Sequence, residues 1–169
     1  MRLLVLLLLL PAIALADEVD LTRGGSRRRP GGVPTLVLRA EGGNAFAPYG
    51  YVGGAISWLA GPHNEFELGA GGGFPGLQLG INARQLFGEG GQFLLAELFI
   101  AGNTRVNRGL NADSALLNPQ GASSLWTGLG FGFEQRNDFF DLNVAGNIVF
   151  TSNSLTPHFA LHGGIGFGF

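Results

Sequence analysis

The chain ends in the stretch Phe159-Ala160-Leu161-His162-Gly163-Gly164-Ile165-Gly166-Phe167-Gly168-Phe169, in which large apolar residues alternate with small or polar ones. Successive side chains of a β-strand point to opposite faces, so this stretch predicts a strand with one apolar face and one small or polar face. The apolar face carries no charge, and Phe occupies its last two positions. Such a strand indicates a sheet whose outer surface is apolar.

The composition agrees with this interpretation. Hydrophobic residues make up 46% of the chain and charged residues only 13%, whereas soluble domains have about 25% charged residues. After residue 16, no apolar run approaches the roughly 20 residues that a spanning helix needs. A β-barrel spreads its lipid-facing residues over every second position, which fits a chain of this kind. The 30 Gly residues also favour strands over helices, because Gly is costly inside a helix.

The N-terminal region predicts export. Residues 1–16 form a signal peptide, with Arg2 before the apolar run 3–10 and an Ala14-x-Ala16 cleavage site. Residues 17–33 are predicted to be a flexible periplasmic lead-in, because Gly, Pro and mixed charges alternate there. The alternative for its short Arg-rich patch is contact with phosphate-rich headgroups. No Cys is present, which excludes a lipid-anchored N-terminus and a disulfide framework.

Residues 34–169 divide into eight predicted strands at turn signals. These are 35–41, 49–59, 65–74, 77–86, 92–102, 125–135, 140–151 and 158–169. The connections 61–64, 88–91 and 136–138 are short and lie on one side, whereas the long connection 103–124 lies on the other side. Short periplasmic turns and longer outer loops are typical of outer-membrane barrels. We therefore predict an all-β fold, an eight-stranded antiparallel up-and-down transmembrane β-barrel.

Aromatic residues lie near both ends of the predicted strands, as expected for girdles at two membrane interfaces. The predicted inner girdle consists of Trp58, Phe66, Phe87, Phe93, Phe133, Phe140 and Phe167. The predicted outer girdle consists of Tyr49, Tyr51, Phe74, Phe99, Trp126, Phe150 and Phe159.

In these features the chain resembles the small eight-stranded outer-membrane barrels, such as the OmpA transmembrane domain and OmpX. The resemblance covers residues 34–169 and implies the outer membrane of a bacterium with two membranes, with outer-membrane lipids as surroundings. It also implies that Phe167 and Phe169, which match the aromatic end of the last strand in that family, are an assembly signal for the outer-membrane assembly machinery. The outer loops are shorter here than is general in that family.

Alternation predicts a polar interior. The residues expected to form a lumen cluster are Arg39, Glu41, Glu65, Glu67, Arg84, Glu97, Glu134 and Asp141. An eight-stranded barrel is just wide enough for side chains to fill it, so we expect a closed lumen and a structural, non-enzymatic protein. Buried charges must pair, and by depth we expect Glu97 to be the partner of Arg39.

Four alternatives remain open. Excess acid in the lumen suits a narrow cation-preferring pore, and the 103–124 loop with Leu110, Leu116 and Leu117 suits a surface binding or adhesion module. A soluble barrel that holds an apolar ligand is a third possibility. A barrel lipid esterase would use His158 with Ser152 or Ser154 and an acid that orients the His. The candidate acid, Asp141 on the preceding strand, is predicted at the opposite end of that strand from His158.

No cofactor is expected, because the Gly-x-Gly stretches lie in strands and none opens a helix. No metal site is predicted either, since His158 and His162 lie some 13 Å apart along a strand. All ten basic residues are Arg, and the net charge is −2. This composition does not suggest a nucleic-acid surface.

Overall fold

A computed structural model describes residues 36–60, 63–73, 76–104, 125–137, 139–152 and 154–169. It contains eight antiparallel strands: β1 (Leu36–Gly43), β2 (Val52–Leu59), β3 (Asn64–Gly72), β4 (Leu77–Glu89), β5 (Gln92–Asn103), β6 (Leu125–Arg136), β7 (Phe140–Thr151) and β8 (Ser154–Gly168). Each strand pairs with its sequence neighbours, and β8 pairs with β1 to close a barrel. The predicted all-β, eight-stranded antiparallel fold is confirmed. None of the described segments forms a helix long and apolar enough to cross a membrane.

Closure of the barrel follows from the register of its first and last strands. Leu38 lies opposite Phe167 of β8 and Ile56 of β2, so the final strand identified from its alternation is the closing strand. The backbone N–H of Phe169 donates to the carbonyl of Leu36 at 2.8 Å. The two ends of the described barrel therefore lie side by side at the same rim, which we call the inner rim.

The starts of two strands differ from the predicted ones by three or four residues, whereas β1 and β3 are each shifted by one residue. The second begins at Val52 instead of residue 49, because the residues before it turn into the barrel. The last begins at Ser154 instead of residue 158, and its pairing with β7 shifts between Val149 and Thr151. Extra residues at this irregularity interrupt the alternation that sequence analysis relies on.

Several predicted segments lie outside the described residues. These are the signal peptide 1–16, the lead-in 17–33, most of the 103–124 loop, and single positions such as Phe74.

The wall of the barrel separates the two residue classes. Large apolar side chains are exposed on the outside of every strand, with Leu68 at 56%, Ile81 at 59% and Leu129 at 60% exposure. Among the described residues, Glu89 at the end of β4 is the one Arg, Asp or Glu that is exposed. The polar side of the molecule is therefore its interior.

The two predicted aromatic girdles are partly wrong. Phe93, Phe99, Trp126 and Tyr49 are buried inside the barrel. The physical reason is strand parity: Phe93 and Phe99 share the inward parity of Glu97, so closeness to a strand end did not place them on the outer wall. Of the outer girdle, Tyr51, Phe150 and Phe159 remain exposed.

Candidate functional site in the barrel lumen

The strands place every member of the predicted lumen cluster inside the barrel. Arg39, Glu41, Glu65, Glu67, Arg84, Glu97, Glu134 and Asp141 are all buried, with exposures of 4% or less. They come from six different strands, and in each strand the inward position follows from alternation. The eight side chains are thus brought into one enclosed space.

Arg39 is the centre of the network in the inner half of the lumen. Its Nη1 lies 2.6 Å from both Glu65 and Glu67, and its Nη2 lies 3.0 Å from Glu134. Its Nε donates to Asp141 at 2.5 Å. The planar guanidinium group offers five N–H donors in a fixed fork, which lets one side chain serve four carboxylates.

The prediction that Glu97 is the partner of Arg39 is wrong. Glu97 instead accepts a hydrogen bond from Nε of Arg84 at 3.1 Å. The same Arg84 places Nη1 at 3.1 Å from both Glu65 and Glu67. The prediction paired Arg39 with Glu97 because the two were expected at a similar depth in the barrel. Which side chains meet also depends on which strands they come from, and Arg84 lies on the strand next to Glu97.

Arg136 belongs to the network although it was not predicted there. It contacts Glu65 and Glu134, and its Nε donates to Asp141 at 3.0 Å. The sequence interpretation put Arg136 in the turn 136–138, whereas it is the last residue of β6. Its even spacing from Glu134 was the signal that could have placed it inside.

His162 is the second residue missing from the predicted cluster. Its Nε2 lies 2.7 Å from Glu97 and its Nδ1 lies 3.5 Å from Glu41. Asn82 and Asn147 donate to Glu97 at 2.9 Å and 2.6 Å. Alternation had placed His162 on the inner face of the last strand, but nothing local indicated that two carboxylates would flank it.

The described interior is more acidic than basic. Six carboxylates face three guanidinium groups and one imidazole. Charges removed from water are tolerated when they are paired and hydrogen-bonded, since a lone buried ion is strongly unfavourable. The close packing of these groups therefore holds the opposite walls of the barrel together through many shared contacts.

A second group of residues fills the outer half of the lumen. Residues 44–51, which we call the plug loop, connect β1 and β2, and residues 45–50 are buried inside the barrel instead of continuing the strands. Phe46 and Tyr49 of this loop are buried at 5% and 2% exposure. Phe46 stacks on His158 with ring centroids 4.5 Å apart. It belongs to an apolar cluster formed by Phe46, Phe99, Ala101, Trp126, Val149 and Ala160.

Hydrogen bonds from the wall hold the plug loop in place. Nε1 of Trp126 donates to the carbonyl of Phe46 at 3.0 Å, and Nε2 of Gln78 donates to the carbonyl of Ala47. The hydroxyl of Tyr49 donates to Glu67 at 2.8 Å. The loop therefore has polar anchors, in addition to its buried rings.

Glycines in the wall make room for Tyr49. A Cβ added to Gly69 would lie 2.6 Å from Cε1 of Tyr49, and one added to Gly53 would lie 2.9 Å from its Cβ. Real Cβ atoms are not found so close to other carbon atoms. In the sequence these glycines only interrupt the alternation of apolar and polar residues. In the structure they leave the space that the ring of Tyr49 occupies.

Two residues that the esterase alternative requires together, His158 and Asp141, lie far apart along the β7–β8 pair. His158 lies opposite Val149, whereas Asp141 lies opposite Gly166 near the other end of the same strand pair. Asp141 is instead bonded to Arg39 and Arg136. Within the described ranges, no group of three or more His, Cys, Asp or Glu residues is arranged to hold a metal ion.

Comparison with known proteins supports the fold. The chain is similar to the crystal structure of the N-terminal β-barrel domain of OprF from Pseudomonas aeruginosa, with a TM-score of 0.55 and 19% sequence identity. The similarity covers 82% of this chain and 100% of that domain. Neither a family model nor a curated protein matches the sequence. The resemblance to small eight-stranded OmpA-type barrels is thus confirmed at the level of the fold.

Proposed function

We propose that the protein is an integral outer-membrane β-barrel with a side-chain-filled lumen and a structural, non-enzymatic role. The observation that carries this proposal is that the closed barrel has an apolar outer surface and a charged interior, the reverse of a soluble protein. Its outer wall is apolar on every strand, and all charged residues in the described ranges except Glu89 are enclosed. A barrel in lipid requires an apolar outside and tolerates a polar inside.

A water-soluble barrel is the less favourable alternative. Monomeric soluble proteins rarely expose contiguous apolar patches larger than a few hundred Å². Here exposed Leu, Ile, Val and Phe side chains surround the barrel, including Phe131 at 73% and Val52 at 73% exposure. In the described part of the chain, the plug loop and the charged network also occupy the space in which a soluble barrel would hold an apolar ligand.

The packing of the lumen favours a filled barrel over a cation-preferring pore. The side chains that form the ion pairs have relative exposures of 0–2%. An eight-stranded barrel has an interior that side chains can fill completely. We therefore propose that the barrel wall and its exposed surfaces carry the function, and that the lumen does not conduct ions.

Two segments of the chain support a proposed route to the outer membrane. The predicted signal peptide 1–16 supports export, and Phe167 and Phe169 are exposed on the outer wall beside β1. We propose that these two side chains are the assembly signal read by the outer-membrane assembly machinery. Outer-membrane lipids would then surround the apolar wall.

Three measurements on the full-length protein test this proposal. We expect it in the outer-membrane fraction, with gel mobility that changes on heating, because folded barrels resist detergent until they are heated. In planar bilayers, we expect the purified protein to insert without conductance steps. Recovery as a soluble periplasmic protein would contradict the membrane location, and steady conductance would contradict the filled lumen.

A further inference from the structure

The lumen contains two separate obstructions, one above the other. We infer, on the basis of the proposed closed membrane barrel, that the plug loop and the Arg39 network are two seals in series. Each seal blocks the lumen by itself, and a continuous path opens only when both are removed. This arrangement differs from a pore with a single gate, because weakening either seal alone leaves the barrel closed.

The outer seal is formed by the plug loop and the apolar wall around it. Phe46 packs in a cluster with Phe99, Trp126 and Val149, which lie toward the outer ends of three consecutive strands. Its ring is stacked on His158 of a fourth strand. Phe46 thus packs against four of the eight strands, β5 to β8. Tyr49 lies against glycines of the three strands on the other side of the lumen, Gly53 of β2, Gly69 of β3 and Gly80 of β4.

The inner seal is formed by side chains from the walls alone. Arg39 of β1 reaches Glu65 and Glu67 on β3, Glu134 on β6 and Asp141 on β7. The contacts from β1 to carboxylates on β3, β6 and β7 cross the lumen near the inner rim. A second apolar cluster, Leu86, Phe93, Leu95 and Ala145 with Leu59, fills space in the same half.

The two seals use different side chains, and a hydrogen bond from Tyr49 to Glu67 connects them. The hydroxyl of Tyr49 donates to Glu67, whereas the other anchors of the loop are Trp126 and Gln78, which do not contact Arg39. Arg39 in turn makes its ion pairs without any plug-loop residue. Emptying one seal therefore leaves the side chains that form the other in place.

The experiment compares three sets of substitutions by single-channel recording in planar bilayers. The outer set is Phe46→Ala with Tyr49→Ala, and the inner set is Arg39→Ser with Asp141→Ser, which removes one charge of each sign. The third set combines all four. A matched control, Phe150→Ala with Phe159→Ala, removes two aromatic rings from the outer wall and none from the lumen.

We expect conductance steps only from the combined set. The wild-type protein, both single sets and the control should be indistinguishable from a bilayer without protein. Conductance from either single set, equal to that of the combined set, would overturn the inference of two seals while the wild-type barrel remained closed. Conductance from the wild-type protein would instead contradict the proposed closed barrel, so the two failures are distinguishable.

Heat-modifiable gel mobility shows which variants have folded before they are recorded. If the combined set does not fold, the milder combination Phe46→Ala with Arg39→Gln replaces it, with each single substitution as its own control. A folded combination of either kind that never conducts would also overturn the inference, because the substituted side chains would then not be what closes the lumen.

Discussion

Arg39 donates five hydrogen bonds to four carboxylates of the lumen network, whereas Arg84 donates three. In a water-filled channel such pairs would be screened and weak, but here all partners are fully buried. The energetic importance of Arg39 therefore lies less in the ion pairs that it forms than in the unpaired carboxylates that its loss would leave.

Replacing Arg39 by Met should lower the free energy of unfolding by about 3–5 kcal/mol, because it leaves buried charges without a partner. Urea unfolding in detergent micelles measures this change. The control Glu89→Gln alters an exposed charge at the end of β4 and should change stability by no more than about 0.5 kcal/mol. Equal effects of the two substitutions would contradict the role of Arg39.

Gly69 supports a different residue-scale prediction. Gly69→Ala should destabilise the barrel by about 1–3 kcal/mol, as for overpacking, since its Cβ would press on the ring of Tyr49. Gly54→Ala is the matched control, because a Cβ there meets only a carbonyl oxygen at 3.5 Å. In a Tyr49→Ala background the cost of Gly69→Ala should decrease. An unchanged cost in that background would show that Tyr49 is not what the glycine accommodates.

At the scale of elements, the alternating pattern of β8 gives the strand two faces with different roles. Its small and polar face, with His162 and Gly166, leaves space in the lumen for long side chains from other strands. Its apolar face, with Ile165 and Phe167, continues the outer wall between β7 and β1. The strand that closes the barrel is thus also the one proposed to carry the assembly signal.

Phe169→Ala should reduce the amount of protein assembled in the outer membrane far more than Phe159→Ala does. Both residues are exposed on the same face of the last strand, at 67% and 61%, so they differ in their position along it and not in burial. Quantitative blotting of outer-membrane fractions measures the difference. Equal levels of the two variants would count against a role of the C-terminal residue in assembly.

At the scale of the whole molecule, the surrounding solvent decides whether the outer wall is stable. Leu68 lies at the middle of β3 with 56% of its side chain exposed, and Gln92 lies at the first position of β5 near the inner rim. In water, substitution of either residue by a charged one would have little effect. In lipid, the depth of the substituted residue determines the cost.

Leu68→Arg should therefore destabilise the barrel in lipid vesicles by about 2–4 kcal/mol, and Gln92→Arg by about 0–1 kcal/mol. Equilibrium unfolding from vesicles gives both values. A difference of this kind requires that the wall lies in a bilayer. If the two substitutions had the same small effect, the proposed membrane location would be contradicted.

Much of this fold could be predicted because the period of a strand is a local property of the backbone. Alternation along 140–151 and 159–169 indicates two faces without knowledge of any other strand. The same rule placed Arg39 and Glu134 inside the barrel before any contact was known. Where glycines or a bulge interrupt the alternation, as before Val52 and around Leu155, the predicted strand boundaries were shifted.

The sequence by itself thus determined the number of strands, their direction and which residues face inward. Only the tertiary structure decided which inward residues meet, because Arg39 and Glu134 are 95 positions apart and their contact depends on how the strands are staggered around the barrel. It also decided that the plug loop turns into the lumen. That direction depends on space left by Gly69 and on donors from Trp126 and Gln78, which lie on other strands.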